Sequence, residues 1–297
     1  MKELIFGNAV SEPICLALGF FDSVHIGHRT IIENMKKQAL ASRCKSAVFT
    51  FSNNIYKVFD ANEKQVYTYE ERKRVFDSLG IDFVVKAEFD ETFKKISAKD
   101  FLCKLLDNSY VKHLFCGYDY KFGNNGVGNV EFLKNICLSR GIDVSVTQQV
   151  DYSGKRVSTT LIKSLLQQGN IVDANTLLVD KYFIEGEVVH GRNVGHIFGI
   201  PTANIIFSED KLLPSCGVFA TYASVRGKRF KAVTNIGGKP TFGDNRLSVE
   251  TMIEGLNEDI YGERLVLEFV EKIRNIKKFA EPKELSEQIH KDMNWRS

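Results

Sequence analysis

Cysteine pairing is the first thing this chain lacks. Its six cysteines (15, 44, 103, 116, 137 and 216) contain no C-x-x-C pair. Most fall in apolar runs, so they read as reduced, buried small hydrophobes and exclude a disulfide scaffold or a zinc site. Long apolar stretches are also missing: none approaches the roughly 20 residues of a membrane span, and the N-terminal residues lack a charged-then-apolar leader pattern. A surplus of one charge sign is missing too. The net charge is +3, with 23 basic against 21 acidic side chains in residues 1–180 and 17 against 16 beyond. Without a basic patch or half, nucleic acid is not an expected partner. There are no low-complexity tracts or repeats. The expectation is a cytoplasmic protein with no membrane and no nucleic-acid partner.

What is present suits a globular protein of two domains: 297 residues, 43% apolar and 26% charged. The first half alternates apolar runs at 14–18, 46–51, 83–86, 113–117 and 143–146 with helical patterns at 30–41, 69–79, 98–106 and 130–140. Gly80 and Gly141 stand where helix C-caps belong. Strands separated by helices predict a Rossmann-like parallel sheet covered on both faces, with ligands at the carboxyl ends of its strands. The second half changes rhythm. Five β-rich runs (183–189, 218–225, 230–236, 247–253 and 265–273) are separated by turn residues. That pattern predicts an antiparallel β-barrel or sandwich, followed by one closing helix over 282–293 with Pro282 in its first turn. A helical segment at 160–178 bridges the halves, and the boundary is expected near Asp180, giving domains 1–180 and 181–297.

Two segments carry chemistry. From Gly19 to His28 the chain reads Gly-Phe-Phe-Asp-Ser-Val-His-Ile-Gly-His, between an apolar strand and a helical pattern. A strand turning through glycine into a helix start aims free N–H groups at an anion, and His25 and His28 add side-chain donors around Gly27. A nucleoside triphosphate is the natural cargo. The same residues also fit a turn whose histidines cap the helix and face water. In the second half, Gly191, Gly195 and Gly199 lead into Pro201-Thr202-Ala203-Asn204. If that segment is extended, Thr202 and Asn204 point the same way, and their hard oxygens suit Mg²⁺ with phosphate. On the residues alone, an irregular barrel crossover whose Thr and Asn cap turns fits at least as well. Glu250 lies in the run 247–253 and could accept a hydroxyl proton, but alternation leaves its face undecided between a site and solvent.

In these motifs the chain resembles the bifunctional riboflavin kinase/FAD synthetases of bacteria, over nearly its whole length. Gly19 to His28 looks like the family's nucleotidyltransferase signature, and Gly117-Tyr118-Asp119-Tyr120-Lys121-Phe122-Gly123 like its second motif. Val157-Ser158-Thr159-Thr160-Leu161-Ile162-Lys163 is similar to its phosphate-binding segment, and Pro201 to Asn204 to its kinase motif. The resemblance implies an α/β nucleotidyltransferase domain followed by a riboflavin kinase barrel. It implies nucleotide binding by Gly19, Phe20, Asp22, His25, Gly27, His28, Ser158, Thr159, Lys163, Gly191, Gly195, Gly199 and Pro201. It further implies flavin binding by Asp119, Phe122 and Arg274, Mg²⁺ on Thr202 and Asn204, and catalysis by His25, His28 and Glu250. Substrates would be ATP, riboflavin and FMN, with FMN and FAD as products, in a monomer or weak homo-oligomer. An enzyme retaining one activity, or a flavin-binding regulator on the same folds, is the alternative. The chain departs from the family pattern at Asn53-Asn54-Ile55 (in place of Pro-His-Pro), at Lys163 (arginine) and at Ile276 (an acid).

Overall fold

Apolar strands that are buried on both faces build the first unit. Residues Cys15–Leu18 of β2 (Val10–Leu18) and Ala47–Phe49 of β3 (Lys45–Phe51) are almost wholly inaccessible. With β1 (Lys2–Ile5), β4 (Phe83–Ala87), β5 (Ser109–Gly117) and β6 (Asp143–Thr147) they form a parallel sheet of six strands, ordered β1-β4-β3-β2-β5-β6. Helices α1 (Ile26–Ala41), α2 (Tyr69–Ser78), α3 (Ala98–Leu106) and α4 (Val130–Leu138) connect the strands. Their starts are chemically marked. Thr68 and Glu71 make a capping box for α2, and the side chains of Ser97 and Asn129 cap α3 and α4. Gly80 and Gly141 follow α2 and α4 with left-handed φ of +68° and +67°, where the sequence pattern put helix ends. A two-stranded ribbon, β7 (Asp151–Tyr152) with β8 (Lys155–Arg156), follows the sheet.

The second unit is a closed antiparallel barrel, ordered β10-β13-β12-β11-β14-β9. Its strands are β9 (Phe183–Val189), β10 (Thr202–Ile206), β11 (Gly217–Val225), β12 (Lys228–Gly238), β13 (Leu247–Ile253) and β14 (Arg264–Arg274). Phe219, Ile236, Val249, Leu265, Leu267 and Phe269 are buried apolar members of these strands. Helix α7 (Pro282–Met293) packs outside, where Met293 and Trp295 meet Val218, Ala220 and Val233. The Trp295 indole donates to the Ala232 carbonyl at 3.1 Å.

This computed structural model describes residues 1–190, 202–238, 247–256, 258–279 and 281–296. Gly191, Gly195, Gly199 and Pro201 therefore lie outside the described residues. Packing divides the chain into Met1–Thr159 and Thr160–Ser297, ahead of the boundary expected near Asp180. Helices α5 (Thr159–Gln168, except its first residue) and α6 (Ile171–Leu177) thus fall in the second unit. There the Asn175 side chain donates to the Phe269 carbonyl of β14 at 2.9 Å and accepts from the Tyr182 amide at 2.7 Å. The cysteine reading needs correction: Cys15, Cys116 and Cys137 are buried, but Cys216 is exposed and Cys44 and Cys103 are partly so. All six are free thiols.

Candidate functional site

Strand order in the first sheet reverses between β2 and β5, and a parallel sheet opens a crevice at such a switch point. A cleft of about 700 Å³ lies there, lined by Gly19, Phe20, His25, His28, Asp119 and Ser158 among others. The turn leaving β2 is strained. Phe21 and Val24 adopt left-handed φ of 54° and 42°, which is costly for a β-branched side chain. Both side chains are buried, and the buried Asp22 carboxylate holds the turn in place. It accepts from the amides of Val66 (2.7 Å) and Tyr67 (3.2 Å) and from the Tyr56 hydroxyl (3.1 Å). Asp22, expected to bind nucleotide, serves in this structure as an internal staple and is not among the residues that line the cleft.

The two histidines come together as a stacked pair, with ring centroids 3.6 Å apart and planes 10° from parallel. His25 is the N-cap of α1: its Nδ1 accepts from the His28 amide at 3.1 Å, so its proton sits on Nε2. Burial lowers the His25 pKa to about 4. Burial, and then His25 itself, push His28 well below the usual histidine range. The pair is therefore neutral near pH 7 and offers N–H donors, not cations, at a helix start. His28 Nδ1 is buried and has no hydrogen-bond partner among the described residues. A Cβ on residue 27 would lie 3.0 Å from the His25 ring, so Gly27 is what lets the chain pass beneath it.

Around the pair stand further groups. The Ser23 and Thr159 hydroxyls are 3.0 Å apart, joining the turn to the segment beyond β8. Asp119 pairs with Arg156, whose guanidinium also lies 5.3 Å from the Tyr118 ring centre. Arg156 and Gln149 line the cleft without any mark in the sequence, because a two-residue strand and a short loop leave no periodic signal, whereas Tyr118 lies in the motif at 117–123. Phe122 lines the apolar side, against Phe101 at 5.4 Å and Tyr120 at 5.5 Å. Lys163 belongs to α5 and falls in the second unit.

In the barrel, register settles the face of Glu250. Val249, Thr251 and Ile253 are buried, whereas Ser248, Glu250 and Met252 alternate outward. Glu250 sits directly between Asn204 on β10 and Asn235 on β12, and Thr202 stands opposite Met252. Thr202, Asn204 and Glu250 thus share one face, as the extended reading of 202–204 requires. A cavity of about 380 Å³ is lined by Thr202, Ala203, Thr251, Ile253 and Tyr261, and the His190 ring stacks on Tyr261 at 3.6 Å. Arg274, expected to bind flavin, is held otherwise. Its Nε and Nη2 donate to the buried Asp292 carboxylate of α7 at 2.7–3.1 Å.

Comparison with known proteins agrees with this architecture. Residues 8–161 match the FAD synthetase family and residues 178–296 the riboflavin kinase family. The bifunctional riboflavin kinase/FMN adenylyltransferase of Bacillus subtilis is 33% identical over 283 residues, covering 93% of this chain and 89% of the relative. The Escherichia coli K12 protein of the same name is 31% identical over 289 residues, covering 96% and 92%. A solved structure named as a macrolide-efflux protein from Streptococcus pneumoniae superposes over all of both chains, with a TM-score of 0.89 at 25% identity. Among the described residues no helix is long and apolar enough to cross a membrane. The chain belongs to the bifunctional riboflavin kinase/FMN adenylyltransferase family, and it is an enzyme with one nucleotidyltransferase domain and one kinase domain.

Proposed function

We propose that the two domains act in series on a flavin, each through the residues described above, with the functional boundary near Asp180. In the barrel, Glu250 takes the proton of the ribityl 5′-hydroxyl of riboflavin. That oxygen bonds to the γ-phosphorus of ATP as the bond to the β-phosphate oxygen breaks, giving FMN and ADP. The donor set fits Mg²⁺: Thr202 and Asn204 present hard oxygens on one face beside a carboxylate. Bound there, the ion would neutralise phosphate charge.

In the cleft, a phosphate oxygen of FMN attacks the α-phosphorus of a second ATP, and pyrophosphate leaves with the electrons of the broken bond. His25 and His28 donate N–H groups to the triphosphate at the α1 N-terminus, and Ser158 and Thr159 add hydroxyls. No covalent enzyme intermediate is needed. The observation that carries this reading is the stacked, neutral histidine pair at a helix start, at the switch point of a parallel sheet. The reading places the enzyme in the cytoplasm, where its flavin and ATP substrates would be, as a monomer or weak homo-oligomer.

The test is a product assay. Riboflavin, ATP and Mg²⁺ are expected to yield FMN and then FAD, and FMN with ATP to yield FAD and pyrophosphate in equal amounts. FMN accumulating without FAD under excess ATP would overturn the adenylyltransferase reading.

A further inference from the structure

The chain leaves β3 through Ser52-Asn53-Asn54 and leaves β4 through Glu88-Phe89, and these two exits are fastened together. Strand pairing runs to Phe51 opposite Ala87, and the Ser52 amide still donates to the Ala87 carbonyl at 2.8 Å. One step further the backbones no longer pair. There the Asn53 side chain takes over: its Nδ2 donates to the Phe89 carbonyl at 2.9 Å and its Oδ1 accepts from the Phe89 amide at 2.8 Å. The carboxamide stands in for a peptide group and adds one rung to the ladder beyond the sheet's carboxyl edge.

That rung fixes an aromatic wall. The Phe89 ring lies 5.1 Å from Phe51, 5.6 Å from Phe93 and 6.2 Å from Phe59, and all four line the cleft. Asn53 itself does not line it. Its neighbour Asn54 is spent locally, donating to the Glu63 carbonyl at 2.8 Å and accepting from the Tyr56 amide at 3.2 Å. Asn53 and Asn54, which stand at one of the departures from the family pattern, are thus both structural ties of one loop. They differ in what they tie, because only Asn53 reaches across to the strand that carries the wall.

We propose that Asn53 is a positioning residue of the adenylyltransferase cleft, setting through its two-bond tie to Phe89 the aromatic wall against which the flavin ring of FMN packs. The proposal rests on the reading that FMN is adenylylated in this cleft. Replacing Asn53 by Ala removes both bonds to Phe89 and frees the wall. It leaves His25, His28 and the triphosphate end untouched.

The experiment is steady-state kinetics of FAD formation from FMN and ATP with the full chain, comparing wild type, Asn53→Ala and Asn53→Asp. In Asn53→Ala the KM for FMN is expected to rise about tenfold, the equivalent of two net hydrogen bonds. The KM for ATP and kcat are expected to stay within about twofold, and conversion of riboflavin to FMN to be unchanged. Asn53→Asp supplies the second readout. As a carboxylate it cannot donate to the Phe89 carbonyl, but once protonated it can donate and accept again. Its FMN KM, divided by that of Asn53→Ala at each pH, is therefore expected to fall as pH is lowered. The ratio cancels titration of the charged groups on the same two loops, Lys57, Asp60, Glu63 and Lys64 after β3 and Glu88, Asp90, Glu91, Lys94 and Lys95 after β4. An equal rise in both KM values, a loss confined to kcat, or a ratio flat with pH would each overturn the proposal. Failure of the wild type to make FAD from FMN would instead overturn the reading on which it rests.

Discussion

Single side chains in this protein do more than their residue type advertises, and His25 is the clearest case. It caps α1 with one ring nitrogen and is left with a single N–H to offer the cleft. Because burial lowers its pKa to about 4 from an unfolded value near 6.5, the folded state resists protonation. The unfolded chain therefore binds more protons at this residue between these values, and the contribution of His25 to stability is expected to be lost as pH drops from about 6.5 towards 4. Urea unfolding of wild type and His25→Asn, followed by far-UV circular dichroism at pH 7 and pH 5, checks this. The wild type should lose stability on acidification, and the variant, with no imidazole at 25, should lose less. Glu250 is tested by function. Glu250→Gln keeps the shape of the residue between Asn204 and Asn235 but cannot take a proton. Riboflavin phosphorylation should fall by about 10²- to 10⁴-fold while FAD formation from FMN is unchanged.

The elements were legible in proportion to how apolar they are. The runs at 46–51, 83–86 and 113–117 fall inside observed strands because strands buried on both faces need no alternation to be seen. What escaped is polar, short or at an edge. β1 is a four-residue edge strand containing Lys2 and Glu3, whose carboxylate is held near pKa 2 by Lys73 and Lys86. β10 is only five residues long and opens on the polar Thr202 and Asn204, so it gives no apolar run to read. The candidate site was legible where a motif is contiguous, as at 19–28, and illegible where packing alone brings residues in, as with Arg156 and the Asn53 tie. Helix α7 shows the same limit: a conventional N-terminal proline announces the helix, but not its lock. Removing the Asp292 carboxylate strands Arg274, which is only about a fifth exposed. Asp292→Ala should cost the second unit about 3 kcal/mol in urea unfolding, and Arg274→Ala combined with it less than the sum of the two single changes.

At the scale of the whole chain, two units with separate cores imply lesions that stay local. Gly123 offers a clean probe. Its φ is +74°, and a Cβ there would meet the Ala98 backbone at 2.6 Å, so Gly123→Ala must disturb the first unit. The protein's one tryptophan, Trp295, sits in the second unit against Tyr222 and reports it alone. In Gly123→Ala, FAD formation should drop, whereas the urea midpoint read by tryptophan fluorescence and the rate of FMN formation should hold. A shifted fluorescence midpoint would show that the units unfold together.

The neutrality of the histidine pair bears on how the enzyme lets go. A cationic cradle would bind pyrophosphate, a small and highly charged product, far more tightly than the diester from which it was parted. At His25, cation and cap compete for one lone pair: a proton on Nδ1 would leave the His28 amide at the head of α1 without its acceptor. The helix start thus taxes any gain in positive charge at the pair, so on the proposed reading the histidines themselves meet pyrophosphate with dipoles, which favours quick departure and a fresh turnover.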